Sequence, residues 1–205
     1  MIAGRKLRIE TGKVARQAAG AVVVTYADTV VLAAVITGPP REGIDFFPLQ
    51  VDYREKTYAA GKFPGGFFKR EARPTQKEIL TMRMIDRPLR PMFPAGFVDE
   101  VLIQAMVLST DQENEPDILA MLGASAALGV SQIPFDGPSA ACRVAYVDGE
   151  YVLNPTLKQL EFATMEMVLA GHKDAVNMIE VGAAEVSEQV VSDGIAFGHK
   201  AIIEL

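Results

Sequence analysis

The sequence predicts an α/β protein with a mixed β-sheet, in a single domain. Strand-like apolar runs alternate with helix-like segments along the chain, which is typical of this class. Apolar residues make up 49% of the 205 residues and charged residues 22%, values close to the average for globular domains. A chain of this length buries roughly 70% of its unfolded surface, so it can build a core without disulfide or metal staples.

The composition excludes several classes of protein. The chain is too apolar to be disordered, and no apolar run approaches the ~20 residues needed to cross a membrane. Cys142 is the only cysteine, which excludes a disulfide scaffold and suits a reducing compartment. The first 13 residues lack the apolar segment of a secretory signal. We therefore expect a cytoplasmic protein without membrane contact.

Three strands and a long loop are predicted in the first part of the chain. Residues 21–26 and 29–37 are β-branched runs two residues apart, which predicts a hairpin, and their apolar character indicates burial on both faces. Residues 46–54 alternate and are predicted to form a third strand. Residues 58–74 are rich in glycine and proline, and loops of this length are usually functional or mobile.

A helix is predicted over residues 75–86. Thr75 and Glu78 have the spacing of a capping box, in which each side chain bonds the other residue's backbone amide. We expect Pro88 to end this helix, because proline disfavours helical geometry at the residue before it.

The rest of the chain continues the alternation. A second helix is predicted over residues 117–132, and the small residues in its middle (GASAA, 123–127) allow another element to approach closely. The chain stops at Leu205 soon after an apolar segment begins, so we expect this end to be a cut rather than a natural terminus. Further strands are predicted over residues 101–109, 143–147, 151–153, 165–170 and 176–181, and a further helix over residues 183–191.

Residues suited to metal or nucleophilic catalysis are sparse. Carboxylates at alternate positions could hold Mg²⁺ or Ca²⁺, but the ordinary interpretation of acids before a helix is that they favour the positive end of its dipole. His172 and His199 have no carboxylate partner in sequence, and Cys142 is expected to be a small buried hydrophobe. The acids concerned, within seven residues before the second helix, are Asp111, Glu113, Glu115 and Asp117.

The most informative region is residues 62–90, where eight cations stand against three acids, a net charge of +5 in a chain of net charge −6. Phe63, Phe67 and Phe68 accompany these cations in a glycine-rich loop. Aromatic rings that stack on bases, with guanidinium groups for phosphates, are typical of a single-strand binder. The alternative is that the cations pair with local acids and the phenylalanines enter a subunit interface.

Several segments, in order along the chain, resemble the first core domain of the bacterial polynucleotide phosphorylase family. The longest are residues 66–71 (GFFKRE) and 85–94 (IDRPLRPMFP). The resemblance covers essentially the whole chain, and its motifs are long enough to be specific. The shorter segments are ETG at 10–12, ARQA at 15–18, RP at 73–74, PDI at 116–118, GASAAL at 123–128, VLNPT at 152–156 and FGH at 197–199.

This resemblance implies an RNase PH-like α/β (α+β) fold of the ribosomal protein S5 domain 2-like type, with a mixed β-sheet packed with helices. Residues 1–190 would form the first RNase PH-like core domain, and residues 191–205 its last strand or the start of a linking helical segment. The family's second core and its KH and OB-type RNA-binding domains have no counterpart in this sequence.

The resemblance also implies an activity. The family degrades RNA from the 3′ end by phosphorolysis, releases nucleoside diphosphates, and can run the reaction in reverse as a nucleotidyltransferase. Its members use inorganic phosphate with Mg²⁺ or Mn²⁺ and form homotrimeric rings around a channel for single-stranded RNA. They serve mRNA degradation and RNA processing together with other RNA-degradation machinery.

The family's aperture loop, which contacts RNA at the channel mouth, corresponds here to Phe67, Phe68, Lys69 and Arg70. Lys69 stands where arginine is usual, and it keeps the charge but lacks the planar fork for a bidentate phosphate contact. The other RNA contacts implied by the resemblance are Arg73, Arg83, Arg87 and Arg90, of which the last three could instead form ion pairs or subunit contacts.

The catalytic pattern of the family is not kept. In its catalytic core, a hydroxyl- or arginine-bearing turn before the second helix holds phosphate, and paired aspartates on a later strand hold the metal. Here Pro116 removes an amide donor from the turn and Asp117 would repel phosphate. On the strand, Thr164 occupies one acid position and only Glu166 remains. We therefore predict no catalytic residue, metal ligand or bound cofactor in this chain, which would serve ring assembly and RNA threading.

Two alternatives stay open at this point. The chain could be a stand-alone, catalytically inactive RNA-binding ring subunit of exosome type, or an unrelated α/β metabolic enzyme. A reading frame that continues past Leu205 into a second core would favour the phosphorylase, and a stop codon there would favour the ring subunit. A metabolic enzyme needs a pocket with converging acids, which the sequence does not indicate.

Overall fold

Two β-sheets form the framework of the chain, described for all residues from 1 to 205 by a computed structural model. The first sheet contains β1 (Leu7–Thr11), β2 (Gly20–Tyr26), β3 (Thr29–Gly38), β4 (Leu49–Glu55) and β5 (Glu100–Ser109). Its strand order is β1-β2-β3-β5-β4, and only β4 and β5 run parallel. The second sheet contains β6 (Ala140–Val147), β7 (Glu150–Leu153), β8 (Met165–His172) and β9 (Ala175–Ala183). Its order is β7-β6-β8-β9, and all its pairs are antiparallel.

Four α-helices pack between and beside the sheets. Helices α1 and α2 lie between them, because both contact the first sheet on one side and the second on the other. Helix α4 covers the outer face of the second sheet. None of the helices combines the length and the apolar content required to cross a bilayer. The helices are α1 (Gln76–Leu89), α2 (Pro116–Gly129), α3 (Leu157–Leu160) and α4 (Glu188–Glu204), with 3₁₀ turns at Thr57–Ala60 and Arg90–Met92.

The alternation of side chains along β8 shows how the layers are built. Val168 and Ala170 belong to the large core that contains α2, whereas Met167 and Leu169 pack against α4 on the opposite face. Successive side chains of a strand point to opposite faces, so an entirely apolar strand can serve two cores. Helix α2 is buried along most of its length because sheets cover both of its sides.

Small residues let α2 approach the first sheet, as predicted. A Cβ atom on Gly123 would lie 3.0 Å from the Cβ of Ala33 and 3.2 Å from a methyl group of Val24. Both distances are shorter than ordinary van der Waals contacts, so the helix can sit this deeply only with glycine at this point.

The predicted α/β class with a mixed sheet is confirmed, and a second sheet that was not foreseen accompanies it. The first sheet is mixed and the second is separate, because the apolar helix α2 needs a sheet on each side to bury its surface. The 21–26 and 29–37 hairpin is confirmed, although alternate residues of β2 and β3 are only half-buried rather than buried on both faces. Strand β4 begins at Leu49 rather than at residue 46, just after Pro48, which has no amide for a ladder bond.

Helix α1 begins as predicted and ends later than predicted. Thr75 accepts a hydrogen bond from the Glu78 amide (3.2 Å), and Glu78 accepts one from the Thr75 amide (2.6 Å). The helix passes through Pro88 to Leu89, so the expectation that Pro88 ends it is wrong. Pro88 and Leu89 are buried, and Asn177 donates to the Pro88 carbonyl (3.0 Å), so burial outweighs the lost amide bond.

The other two long helices differ from prediction at their ends. Helix α2 stops at Gly129 rather than at residue 132. Helix α4 begins at Glu188 rather than at residue 183, because β9 continues to Ala183, which pairs with Met165, and Ser187 then caps the helix. Residues 191–205 therefore contain no strand, and α4 packs on β6 and β8.

The close approach of α2 to the start of β2 makes a testable prediction. A Cβ on Gly20 would lie 2.1 Å from the backbone carbonyl oxygen of Ala127, which cannot move aside as a side chain can. We expect Gly20→Ala to lower the free energy of unfolding by about 1–3 kcal/mol, measured by urea denaturation. Gly38→Ala is the matched control, because nothing lies within 4 Å of a Cβ at that strand end. Equal stability of the two variants would contradict the close approach.

Candidate functional site

The loop between the first 3₁₀ turn and α1 carries three exposed aromatic side chains. Phe63, Phe67 and Phe68 are 91%, 94% and 81% exposed, respectively. The rings of Phe67 and Phe68 contact each other edge to face, with centroids 5.5 Å apart. Large apolar side chains this exposed and this close together are unusual on a globular surface and mark an interaction site.

The cations of this loop are free of partners within the chain. Lys69, Arg70 and Arg73 are exposed, and none of them forms an ion pair or a side-chain hydrogen bond. Their charges are therefore available for a ligand. Lys69 has a positive φ of 49°, so the backbone turns sharply directly after the two phenylalanines.

The three predicted arginines of α1 have different surroundings. Arg83 has no ion-pair partner and lines the cleft between α1 and the second sheet. Arg87 pairs with Glu180 of β9. Arg90 pairs with Asp86 (2.6 Å) and donates to the carbonyls of Phe47 and Leu49, with its guanidinium over the Phe47 ring.

Arg87 and Arg90 thus form ion pairs within the chain, which the sequence allowed as the alternative to RNA contacts. Four hydrogen bonds hold the guanidinium of Arg90 to this chain. An arginine offers only five N–H donors, so Arg90 has little capacity left for a ligand. Exposed cations on the loop and Arg83 on the helix are the predicted site residues that remain unpaired.

A second predicted region, the first turn of α2, contains a buried network of charges. The carboxylate of Asp117 is 3% exposed and pairs with Arg143 of β6. Arg143 also pairs with Glu166 of β8, so the three residues join α2 to the second sheet. We call Asp117, Arg143 and Glu166 the buried ion-pair network after its two buried members, because the Glu166 side chain is 41% exposed at its edge. Burial raises the pKa of Asp117, although the Arg143 guanidinium acts in the opposite direction.

Contacts within the chain already engage the residues around the start of α2. Pro116 occupies the first position of α2, and the buried carboxylate of Asp117 lies where an anion would meet the helix N-terminus. Glu166 is already paired, and the hydroxyl of Thr164 donates to the Tyr146 carbonyl (3.2 Å). The structure contains no group of three or more histidine, cysteine, aspartate or glutamate side chains placed to hold a metal ion.

The acidic cluster before α2 is also explained by contacts within the chain. Asp111 accepts hydrogen bonds from the amides of Glu113 (2.9 Å) and Asn114 (2.8 Å), and so closes the turn. Glu115 pairs with Lys77 (2.8 Å), which also contacts Glu55 (3.1 Å). Asp111 and Glu115 therefore each have partners within the chain.

The remaining nucleophile and histidine candidates are structural. Cys142 is buried, its Sγ lies 3.4 Å from the Gly198 carbonyl oxygen, and burial raises its pKa to about 12. Such a thiol is not ionised near neutral pH and is a poor nucleophile. His199 bonds the carbonyl of His172 (3.1 Å), which ties α4 to the end of β8.

Arg143 is the residue that the sequence analysis missed. It stands in the middle of an otherwise apolar strand (ACRVAYV, residues 141–147). A charged side chain in such a strand requires a buried partner of opposite charge, which is the signal that could have found the network.

Comparison with known proteins was consistent over the whole chain. Residues 3–134 match the family model described as domain 1 of the 3′ exoribonuclease family, and residues 137–201 match that of domain 2. A polyribonucleotide nucleotidyltransferase from Geobacter sulfurreducens is 59% identical over 200 residues, which are 97% of this chain and 29% of that protein. The protein of the same name from Rhodopseudomonas palustris strain HaA2 is 56% identical over 98% of this chain and 29% of its own length. The chain thus spans under a third of these relatives.

Solved structures share the fold at low sequence identity. A chain described as the Archaeoglobus fulgidus exosome with RNA bound to the active site superposes with a TM-score of 0.77 at 17% identity. That match covers 97% of this chain and 85% of the other. An archaeal exosome core superposes with a TM-score of 0.74 at 16% identity, over 97% of this chain and 83% of that one. These similarities confirm the RNase PH-like fold.

The buried ion-pair network can be tested through stability. Arg143→Met should lower the free energy of unfolding at pH 7 by about 3–5 kcal/mol, because Asp117 is left buried without a partner. The variant's Asp117 pKa should rise further, so the folded variant binds a proton that the unfolded chain has released. Its stability should therefore fall as the pH rises above the ordinary aspartate value of 3.8, and the loss should be smaller at pH 5 than at pH 7.

Urea unfolding at the two pH values measures both effects. Arg41→Met is the matched control, because the pair between Arg41 and Glu100 is largely exposed and should contribute only about 0–1 kcal/mol. Similar losses for the two variants, or a loss that does not change with pH, would show that the network is not buried as described.

Proposed function

The chain belongs to the 3′ exoribonuclease family, and we propose on this premise that it is the first, non-catalytic core of a polynucleotide phosphorylase. In this proposal the whole enzyme degrades RNA from its 3′ end by phosphorolysis, with phosphate and a divalent metal bound outside this chain. Residues 1–205 help to form a cytoplasmic homotrimeric ring and guide single-stranded RNA into its channel. The names and identities of the relatives support the enzyme class.

The observation that carries the non-catalytic assignment is the buried ion-pair network. Phosphorolysis needs a bound phosphate dianion, and the most suitable place in this fold is the N-terminus of a helix, where free amides and the dipole attract anions. At α2 this place holds the Asp117 carboxylate, already neutralised by Arg143. A phosphate here would meet a negative charge and would have to displace an established partner.

The exposed loop supports a role in RNA binding. Phe67 and Phe68 are largely exposed, and the unpaired cations Lys69, Arg70 and Arg73 follow them in the same loop. Base stacking does not depend on sequence, since every base has a flat face, and cations attract the phosphates between the bases. This combination suits an entry point that must accept any RNA sequence.

Replacing both phenylalanines tests the RNA-binding role. Phe67→Ala with Phe68→Ala should raise the Kd for a labelled oligo(A), because stacking contributes about 1–3 kcal/mol per base, roughly 5- to 150-fold in affinity. Fluorescence anisotropy at fixed ionic strength measures the change. Phe162→Ala is the control, because Phe162 is 70% exposed but lies outside the loop. Equal affinity of the double variant and the control would disprove the role of the loop.

The catalytic silence of the chain is tested by assay. The purified chain, incubated with poly(A), inorganic phosphate and Mg²⁺, should release no nucleoside diphosphate, because it has no place to bind the attacking phosphate. A full-length polyribonucleotide nucleotidyltransferase assayed in parallel serves as the positive control. Phosphate-dependent release of nucleoside diphosphate by the purified chain would overturn the proposal.

A further inference from the structure

We call residues 61–74, which carry the three exposed phenylalanines, the aromatic loop. A pair of hydrogen bonds closes its base. The Glu71 Oε1 atom accepts one from the Thr57 amide (3.1 Å) and a second from the Thr57 hydroxyl (2.9 Å). Thr57 lies before the excursion that carries the phenylalanines, and Glu71 follows it directly. We call the Thr57–Glu71 contact the loop neck.

Further hydrogen bonds hold residues 57–62, at the start of the loop, in place. The Thr57 carbonyl accepts from the Lys62 amide (3.1 Å), and Gly61 turns the chain with a φ of 67°. The carbonyl of Ala59 accepts from the Thr110 amide (3.1 Å), which ties the turn to the end of β5. The first arm of the loop is thus fixed to the sheet at its base.

The segment beyond the neck is fixed by a second glutamate. The buried Glu78 accepts from the amides of Glu55 (2.9 Å) and Thr75 (2.6 Å), which joins the end of β4 to the start of α1. Residues 63–70, in contrast, form no hydrogen bond with the rest of the chain, and their only local feature is a turn at Phe67 and Phe68. The loop is therefore held at its neck and free at its tip.

We propose that Glu71 is a positioning residue that presents Phe67 and Phe68 to RNA by closing the loop neck. This inference rests on the RNA-binding role proposed above. Closing the neck reduces the range of positions that the tip can sample, so less conformational freedom is lost when RNA binds. In this proposal Glu71 acts through Thr57, to which its Oε1 atom is bonded.

The negative charge of Glu71 lets experiment distinguish positioning of the loop from simple electrostatic repulsion of RNA. The amide and hydroxyl of Thr57 lower the pKa of Glu71, so the carboxylate is ionised at neutral pH. A negative charge in a basic loop opposes RNA binding, so its removal would on electrostatic grounds alone strengthen binding. If Glu71 acts by positioning, its replacement by alanine must instead weaken binding.

The experiment compares two pairs of variants in the chain. Glu71→Ala removes both hydrogen bonds of the neck and should raise the Kd for labelled oligo(A) roughly three- to tenfold. Thr57→Val removes only the hydroxyl bond and keeps the amide bond, so it should raise the Kd in the same direction by a smaller factor. Glu71→Gln keeps an acceptor oxygen and Thr57→Ser keeps the hydroxyl, so both should bind as the original chain does or more tightly. Glu42→Ala controls for the lost charge, because Glu42 is exposed and makes no hydrogen bond.

A second readout follows the loop without RNA. Trypsin should cleave after Lys62, Lys69 and Arg70 several-fold faster in Glu71→Ala and Thr57→Val than in the conservative variants, while the unfolding midpoint stays within a few degrees. Unchanged cleavage and unchanged or tighter RNA binding in Glu71→Ala would overturn the proposal. If Phe67→Ala with Phe68→Ala also left binding unchanged, the RNA-binding role itself would fail. If only the phenylalanine variant weakened binding, the positioning role alone would be disproved.

Discussion

The burial of α2 between two sheets is the constraint on which the rest of the structure depends. A helix covered on both sides must be apolar or small nearly everywhere, and α2 meets this with alanines, Gly123 and a few large aliphatic residues. It also separates the two sheets, so the second half of the chain builds its own four strands and then covers their far face with α4. The position of α2 therefore sets the number of layers as well as the shape of the core.

The same burial decides the chemistry at the start of α2. An acid at a helix N-terminus that faces water needs no partner, but Asp117 is enclosed by both sheets and must be neutralised. Arg143 of β6 supplies the opposite charge, and its guanidinium also pairs with Glu166. The need to neutralise a buried charge thus fixes which residues meet at the start of α2. If the proposed function is right, the same ion pair accounts for both the stability and the catalytic silence of this region.

The exposed loop, unlike the core, leaves its phenylalanines and cations without partners in the rest of the chain. The aromatic loop leaves the body of the protein through a neck of hydrogen bonds, and its tip forms no hydrogen bond with the rest of the chain. Phenylalanines that contribute nothing to the core remain exposed, and the cations beside them remain unpaired, while Arg90 in the nearby helix is bound to its own chain. The total charge of −6 says little about such a surface, because the basic residues are concentrated in one place.

The sequence by itself determined the fold class, nearly all strands, the capping box of α1 and the composition of the aromatic loop, because these depend on local period, spacing and residue type. Tertiary structure decided what local patterns do not contain. The division into two sheets, the passage of α1 through Pro88 and the start of α4 at Glu188 reflect burial and strand pairing between distant segments. The pairing of Arg143 with Asp117 and the closure of Thr57 on Glu71 join residues 26 and 14 positions apart. Such contacts depend on how the chain is brought together in space, and therefore on the packing of the whole domain.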